Sequence, residues 1–382
     1  MEENVTIHRY FDSAEQAELF TLVTKISEKE LAPVAAAFEA RAEFPRQLVA
    51  RLGELGVMGM AFPERWGGGG QSVTFYLQVV EELARGWLAV AESVHLQVLT
   101  CRGLAQYGKD SLRERYLPAM LEGRLLGGNC MSEAEAGSDL AAMTTSATAT
   151  DDGYEISGLK TWVSHAGVAD VYLVYCRTGR SGPGGISCFL VEAAQDGVKV
   201  FPPFAKMGVC ALPTAQVAFG EVRVPAERMV GGRNRGMLVA ASVFDHGRMG
   251  ISACAVGLAQ AALDYASAYA KERRQFGSPI ASFQGMSFML ADMAAQIAAA
   301  RALVLSTARL IDDGYPASAE AAKCKLFATD TAMRVTTDAV QILGGYGYVR
   351  DHPTERWMRE AKLLQIIEGT NQIQRATIAQ SL

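Results

Sequence analysis

The stretch Gly158-Leu159-Lys160-Thr161-Trp162-Val163-Ser164, near the middle of the chain, decides how the rest is read. Thr161 and Val163 fall on one face and Trp162 and Ser164 on the other, the two-residue period of a strand. Short β-branched and aromatic runs surround it, at residues 154–157, 171–176, 186–191, 216–219 and 222–224, with Gly and Pro in every gap. Strands of this length and spacing imply a small antiparallel barrel or sandwich of roughly a hundred residues.

Outward from this block the period becomes helical on both sides. Upstream, residues 14–38, 45–55, 74–84 and 90–107 carry apolar side chains at helical spacing, and Gly67-Gly68-Gly69-Gly70 after Pro63 marks a loop. Asp110 is placed to cap a helix reaching Glu122, with Gly123 as its stop. Downstream the helices lengthen: 237–271, 282–313 with a stripe at Met286, Met289, Leu290, Met293 and Ile297, and 317–342. Shorter ones follow at 354–361 and 370–379. The expected fold is α+β and multi-domain: an N-terminal helical domain over 1–127, a small antiparallel β domain over 128–232, and a C-terminal four-helix bundle over 233–382.

Composition narrows the function. The chain has 382 residues, 49% apolar and 20% charged, which excludes a disordered or fibrous protein. A net charge of -5 argues against a nucleic-acid groove, where clustered basic charge supplies the affinity. Seven Cys lie singly without a C-x-x-C pair, and five His form no H-x-x-x-H, so no metal site is indicated. Free thiols fit a reducing compartment. Residues 1–10 are polar and carry acids, unlike a secretory signal, and the apolar stretches look too short and broken for a bilayer, as at 253–263 where Gln260 intervenes. The expectation is a cytoplasmic protein without membrane or nucleic-acid partners. No G-x-G-x-x-G, P-loop or G-x-S-x-G occurs in the context its chemistry needs.

Three stretches carry candidate chemistry. Met131-Ser132-Glu133 through Gly137-Ser138-Asp139 sits at the helix-to-strand junction and offers hydroxyls and backbone amides to a polar ligand edge or a phosphate; taken alone, it reads better as an ordinary polar turn. Trp162 with Ser164 can wall a flat heterocycle and donate to it, or be a core indole beside a surface hydroxyl. Glu368 follows Leu363, Leu364, Ile366 and Ile367 and precedes a chain break at Gly369. A carboxylate on so apolar a segment can have its pKa raised and serve as a base; a capping or solvated Glu is the other reading.

Taken in order, these stretches resemble the acyl-CoA dehydrogenase family of flavoproteins over nearly the whole chain. The likeness extends through Met207-Gly208, Glu272-Arg273-Arg274-Gln275-Phe276-Gly277 with Phe283-Gln284, Gln341 to Gly345, and Glu368-Gly369-Thr370-Asn371-Gln372-Ile373. It implies FAD held without a Rossmann fold. By resemblance, Met131, Ser132, Gly137, Ser138, Trp162 and Ser164 surround the flavin. Arg273, Phe276, Gln284, Gln341, Gly344 and Gly345 meet the pyrophosphate and adenine side, and Thr370 and Gln372 also touch the cofactor. Contacts of the Arg273 and Gln341 type reach a neighbouring subunit's FAD, so a homodimer or homotetramer is implied, with an electron-transfer flavoprotein as acceptor.

The resemblance implies α,β-dehydrogenation of an acyl thioester to the 2-enoyl thioester. Glu368 takes the α-proton, flavin N5 takes the β-hydride, and the thioester carbonyl accepts hydrogen bonds from the Glu368 N–H and a ribityl hydroxyl. A minority branch places its base just before the residue matched by Arg248; that position is Gly247, which carries no base. Ser138, Asp245, Arg248, Glu368 and Gly369 match substrate contacts, although Asp245 and Arg248 read by themselves as a surface i, i+3 pair. The chain departs from the family pattern at Ala134, where Pro is usual, at Ser164 for the commoner Thr, and at Ile367 for a frequent Tyr. His95 and Arg102 lie on a helix bordering the far end of the acyl pocket. Arg102 reads as a solvated charge; if either side chain points inward, a polar or carboxylated tail is admitted. Coenzyme A and an acyl carrier protein, as in relatives from bacterial secondary metabolism, both remain as carriers. Flavin monooxygenases of the same fold and a non-catalytic thioester-binding protein are the competing classes.

Overall fold

A polar side chain starts each of three key helices. In the computed structural model, which describes residues 7–382, Ser13 accepts from the Gln16 N–H at 3.2 Å to open α1 (Ala14–Ile26). Ser72 accepts from Phe75 at 3.1 Å to open α4 (Val73–Gly86), and Thr370 from Ile373 at 3.3 Å to open α11 (Asn371–Gln380). Each satisfies an N–H that the first helical turn leaves unpaired. Between α1 and α4 run α2 (Ala32–Arg41) and α3 (Arg46–Glu54); α5 (Leu88–Tyr107) and α6 (Asp110–Leu121) complete the first helical layer. The segment read as one helix over 14–38 contains a π-turn at Ser27–Leu31, where Gly86 of α4 lets its backbone approach Ser27 closely. Asp110 is the first helical residue rather than the cap, which falls on Lys109. Of residues 1–10, read above as polar, 1–6 lie outside the described residues.

The middle of the chain forms one sheet: β1 (Gly127–Cys130), β2 (Ser146–Thr150), β3 (Gly153–Ser164), β4 (Val171–Arg177), β5 (Ile186–Glu192), β6 (Val198–Val200), β7 (Thr214–Pro225) and β8 (Met229–Val230). The order is β6-β7-β3-β2-β4-β5-β8, with β1 beside β4. The antiparallel expectation needs correcting at β4, where β2 pairs in parallel through Ser146 and Arg177. β1 runs parallel to β4, pairing Gly127 with Val171, because it enters from the helical layer rather than from a hairpin. Gly158 does not end its strand either; β3 continues through it with a register shift. β4 alternates between two cores: Tyr172, Val174 and Cys176 face the interior of the β domain, while Leu173 and Tyr175 face the helices.

Beyond the sheet come α7 (Gly236–Glu272), the short hairpin β9 (Arg274–Gln275) and β10 (Ser278–Pro279), α8 (Gln284–Asp312), α9 (Ser318–Leu343) and α10 (Thr354–Leu364), then α11. α7 is the axle of the molecule, with α4, α5, α8, α9 and α10 all packed on it. Gly257 lets α4 cross it closely: a β-carbon there would sit 2.0 Å from the Glu81 carbonyl oxygen. The bilayer expectation is corrected in one respect: by length and composition both α7 and α8 could cross a membrane. Most of α7 is buried inside the protein instead, whereas α8 keeps an open apolar face.

Candidate active site

The C-terminal turn positions the candidate base. Past α10 the N–H groups of Ile366 and Ile367 both donate to the Leu363 carbonyl, at 2.9 and 3.1 Å, so the helix closes and the chain turns off. Glu368 then adopts φ +52° and Gly369 φ +82°. A left-handed non-glycine residue costs roughly 1–2 kcal/mol and persists only where its surroundings hold it. Here Lys325 of α9, fully buried, does the holding. Its Nζ donates to the Gly369 carbonyl at 2.9 Å and to Asn371 Oδ1 at 2.8 Å, and Gln374 donates to the Gly369 and Glu368 carbonyls at 2.8 and 3.2 Å. The Glu368 N–H finds no acceptor among the described residues.

The Glu368 carboxyl group is seated over α7. A β-carbon at Gly247 would lie 2.3 Å from Glu368 Oε2 and 3.5 Å from Leu99 Cδ1, so the slot between α5, α7 and the turn exists only because position 247 is glycine. Burial raises the Glu368 carboxyl to about 7, against the pull of Lys325 and Arg248. Burial likewise lowers Lys325 to about 7. Arg248 is not the surface charge its spacing allowed. Its side chain is 11% exposed, and it donates to Asp245 Oδ1 at 3.0 Å and to Ser318 Oγ at 3.1 Å.

A second group comes from the β domain. Lys160, fully buried, donates to the Met131 carbonyl at 2.9 Å and to Glu133 Oε1 at 3.0 Å. Burial would raise the Glu133 carboxyl, but hydrogen bonds from Thr145 and Thr144 and the charge of Lys160 hold it at about 2. This clamp fixes the Met131-Ser132 turn, whose Ser132 carbonyl accepts the Thr161 N–H at 2.9 Å. The alternation expected across 161–164 is kept, but Lys160 is buried beside Thr161 because β3 shifts register between Lys160 and Val163. Trp162 takes φ +59° at that shift and emerges 61% exposed, its ring 4.6 Å from that of Phe204. An indole so exposed and so held presents a face for a flat ring to stack on. Gly137 and Ser138 lie exposed on the neighbouring turn, and Ser164 is partly buried opposite Thr214.

The remaining expected cofactor residues form a separate locus. Arg273, Phe276, Gly344 and Gly345 line an open groove of ≈ 720 Å³ at the end of α7, where none of Met131, Ser132, Trp162 or Ser164 lies. Phe276 is 95% exposed with φ +50°. Gln284 and Gln341 are exposed at the ends of α8 and α9. Gln372 is exposed, and Thr370 spends its hydroxyl on capping α11. An exposed indole at one locus, and at the other an arginine with an exposed phenyl ring set edge-on to Phe283, suit an extended cofactor with a flat ring and a phosphate-bearing arm.

Sequence reading missed Lys160 and Lys325. The signal for Lys325 was present: it occupies the buried stripe Ala321-Lys325-Ala328-Ala332 of α9. His95 is buried, bonded to Tyr76 Oη at 3.0 Å and near the Gly247 carbonyl at 3.3 Å, and burial lowers it to about 4. Arg102 is a correction: it is only partly open to solvent, with its Nε sealed off and unpartnered.

Comparison with known proteins gives the family. Residues 13–124, 128–222 and 234–382 match the N-terminal, middle and C-terminal domains of acyl-CoA dehydrogenases. A short-chain-specific acyl-CoA dehydrogenase of Clostridium acetobutylicum is 38% identical over 369 residues, covering 96% of this chain and 97% of its own. The structure of butyryl-CoA dehydrogenase from Megasphaera elsdenii superposes with a TM-score of 0.95 at 38% identity, covering 98% of this chain and 99% of that one. The structure of PigA with FAD and proline superposes at 0.94 with 25% identity, covering 98% and 99%. With all three domains matched in order on the observed helix–sheet–helix layout, the chain belongs to the acyl-CoA dehydrogenase family, oxidoreductases acting on CH–CH donors.

Proposed function

We propose that the protein dehydrogenates a short acyl thioester at its α and β carbons, with Glu368 as the base. The observation that carries this reading is the Glu368 carboxyl group, held at the mouth of an apolar slot over Gly247 and raised by burial to about 7. A base poised near the working pH takes a weakly acidic α-proton and returns it to solvent with little loss in either direction. The unpaired Glu368 N–H donates to the thioester carbonyl as negative charge develops there, which aligns the α-carbon with the carboxylate. Asp245 and Arg248 border the same slot on α7 and orient the thioester. FAD, when bound, accepts the β-hydride. Trp162, with Met131, Ser132 and Ser164, walls its ring, while Arg273 and Phe276 serve the phosphate arm of a neighbouring copy's cofactor. Gly369 and Ser138 complete the substrate side, and an electron-transfer flavoprotein is the acceptor. The carboxylate at position 368 speaks against a monooxygenase of the same fold.

The test is anaerobic addition of butyryl-CoA and the corresponding carrier-protein thioester to the yellow holoenzyme. Rapid bleaching of the flavin band by at least one of them is expected. A flavin that no saturated acyl thioester reduces would overturn the assignment.

A further inference from the structure

The seam that holds the slot is sealed at one end and open at the other. A β-carbon on Gly250 would meet the ring of His95, one on Gly247 would meet Leu99, and one on Gly103 would meet Val243, so α5 and α7 run antiparallel. Beyond Gly247, Met249 to Leu263 of α7 and Leu88 to His95 of α5 are buried without a break. Before it the seam loosens. Arg102, Ala105 and Gln106 of α5 are open or partly open, and so are Arg248, Phe244, Ala241 and Met237 of α7. Spaced by four, three and four residues, these last form one helix face that leads from beside Glu368 to the start of α7. A thioester carrier too large for the interior leaves along that face.

The open face ends at two loops fastened to each other. Arg233 donates to the Thr178 carbonyl at 3.1 Å, Thr178 donates to Asn234 Oδ1 at 2.9 Å, and the Asn234 N–H donates to Ser187 Oγ at 2.7 Å. Arg177 shapes the first loop from within, donating to the Arg180 and Gly182 carbonyls at 2.9 and 3.1 Å. Segments 177–185 and 231–238 carry four arginines and no acidic residue, in a chain whose net charge is -5. Arg180, Arg233 and Arg235 are exposed, and no ion pair among the described residues includes any of them. Leu238, one turn into α7, is 43% exposed.

From Gly247 back to Arg235 the helix rises about 18 Å. A pantetheine arm, extended like a peptide of about four residues, spans about 15 Å. With its thioester at Glu368, such an arm brings its phosphate to the arginines. What lies past the phosphate distinguishes the carriers. A nucleotide base is held best on an aromatic face, and neither loop segment contains an aromatic side chain. Exposed cations around an exposed leucine match an acidic protein surface instead.

We propose that Arg180, Arg233 and Arg235, with Leu238 beside them, dock an acidic acyl carrier protein that delivers the acyl group on its phosphopantetheine arm along the open face of α7. This rests on Glu368 marking the reacting end of the slot.

Equilibrium binding tests the docking without turnover. The probes are a holo acyl carrier protein of bacterial fatty-acid synthesis and coenzyme A, both as free thiols. Their dissociation constants are measured by calorimetry on the FAD-loaded protein and on R180E/R233E/R235E. The carrier protein is expected to bind, and charge reversal to weaken it at least about tenfold while weakening coenzyme A less. Three results each overturn the docking: a carrier protein that does not bind, a constant that charge reversal leaves in place, or an equal loss for coenzyme A. The last assigns the arginines to nucleotide phosphates. Should the triple variant fail to fold, R180E/R235E, which leaves the Arg233 bond to Thr178 intact, takes its place. Flavin reduction by butyryl-CoA, scored separately, bears on the dehydrogenase reading alone.

Discussion

Two fully buried lysines, each near a glutamate, do opposite things in the two halves of the molecule. In the β domain, Lys160 bonds Glu133 directly at 3.0 Å, and that carboxyl group, further clamped by Thr144 and Thr145, is held at about 2. In the bundle, Lys325 spends its ammonium protons on the Gly369 carbonyl and on Asn371, and Glu368 next to it rises to about 7. The same pair of residue types is a permanently charged brace in one place and a proton-exchanging group in the other. The difference lies in where the lysine points. A direct pair satisfies the carboxylate and freezes it, whereas a lysine bonded to the backbone supports the turn and leaves the carboxylate free.

The contrast is most sharply broken at Glu368. E368Q keeps the shape of the slot and removes the proton acceptor, so turnover should fall by about 10²–10⁴ while thioester binding persists. Steady-state rates together with calorimetric binding check this, and equal losses in both would point to a damaged fold instead. At the brace the effect should appear in stability. K160M leaves Glu133 buried without its charge partner and should cost about 3–5 kcal/mol in denaturant unfolding. K160M/E133Q should regain part of that loss; a double variant no better than the single would show that the pair is not the unit.

Much of this contrast could not be read from the sequence. The helix–sheet–helix order, the long bundle helices and the Glu368 turn were legible, because periodicity and a Gly break are local signals. Lys160 was not, since a lysine in an alternating strand reads as solvent-facing; its burial depends on the register shift before Val163, which no neighbouring residue announces. The partners of Lys325 lie more than forty positions away at Gly369 and Asn371, so only its place in a buried alanine stripe hinted at a role. Arg102 failed for the same reason: its Nε is sealed off by the packing of α5 in the fold, which no neighbouring residue announces. The parallel β1 likewise depends on how the helical layer delivers the chain.

Smaller effects sharpen the comparison. In wild type, kcat/KM should climb as pH rises through about 7, because the proposed base, the Glu368 carboxyl group, accepts a proton only once it is ionised. The nearby positive charge of Lys325 lowers that value, so K325M should move the limb to higher pH, while E133Q in the other half leaves it in place. A pH–rate profile of each variant distinguishes them. Smallest of all is a stability effect of opposite sign to K160M. A carboxyl group whose folded value lies above its unfolded one stabilises the fold below the unfolded value, and that contribution is lost as pH rises from about 4.5 to about 7. E368Q removes the penalty, so its Tm at pH 8 should exceed wild type by ~2–4 °C, with the gap closing below pH 5.

Proton abstraction can be watched apart from electron transfer. A butyryl thioester with two methyl groups on its β-carbon has α-protons to give but no β-hydride, and mass spectrometry in deuterated buffer counts the α-positions that exchange. Wild-type holoenzyme should load deuterium there, and E368Q should exchange no faster than buffer without enzyme. Exchange by E368Q at the wild-type rate would contradict the assignment of Glu368 as the group that removes the α-proton.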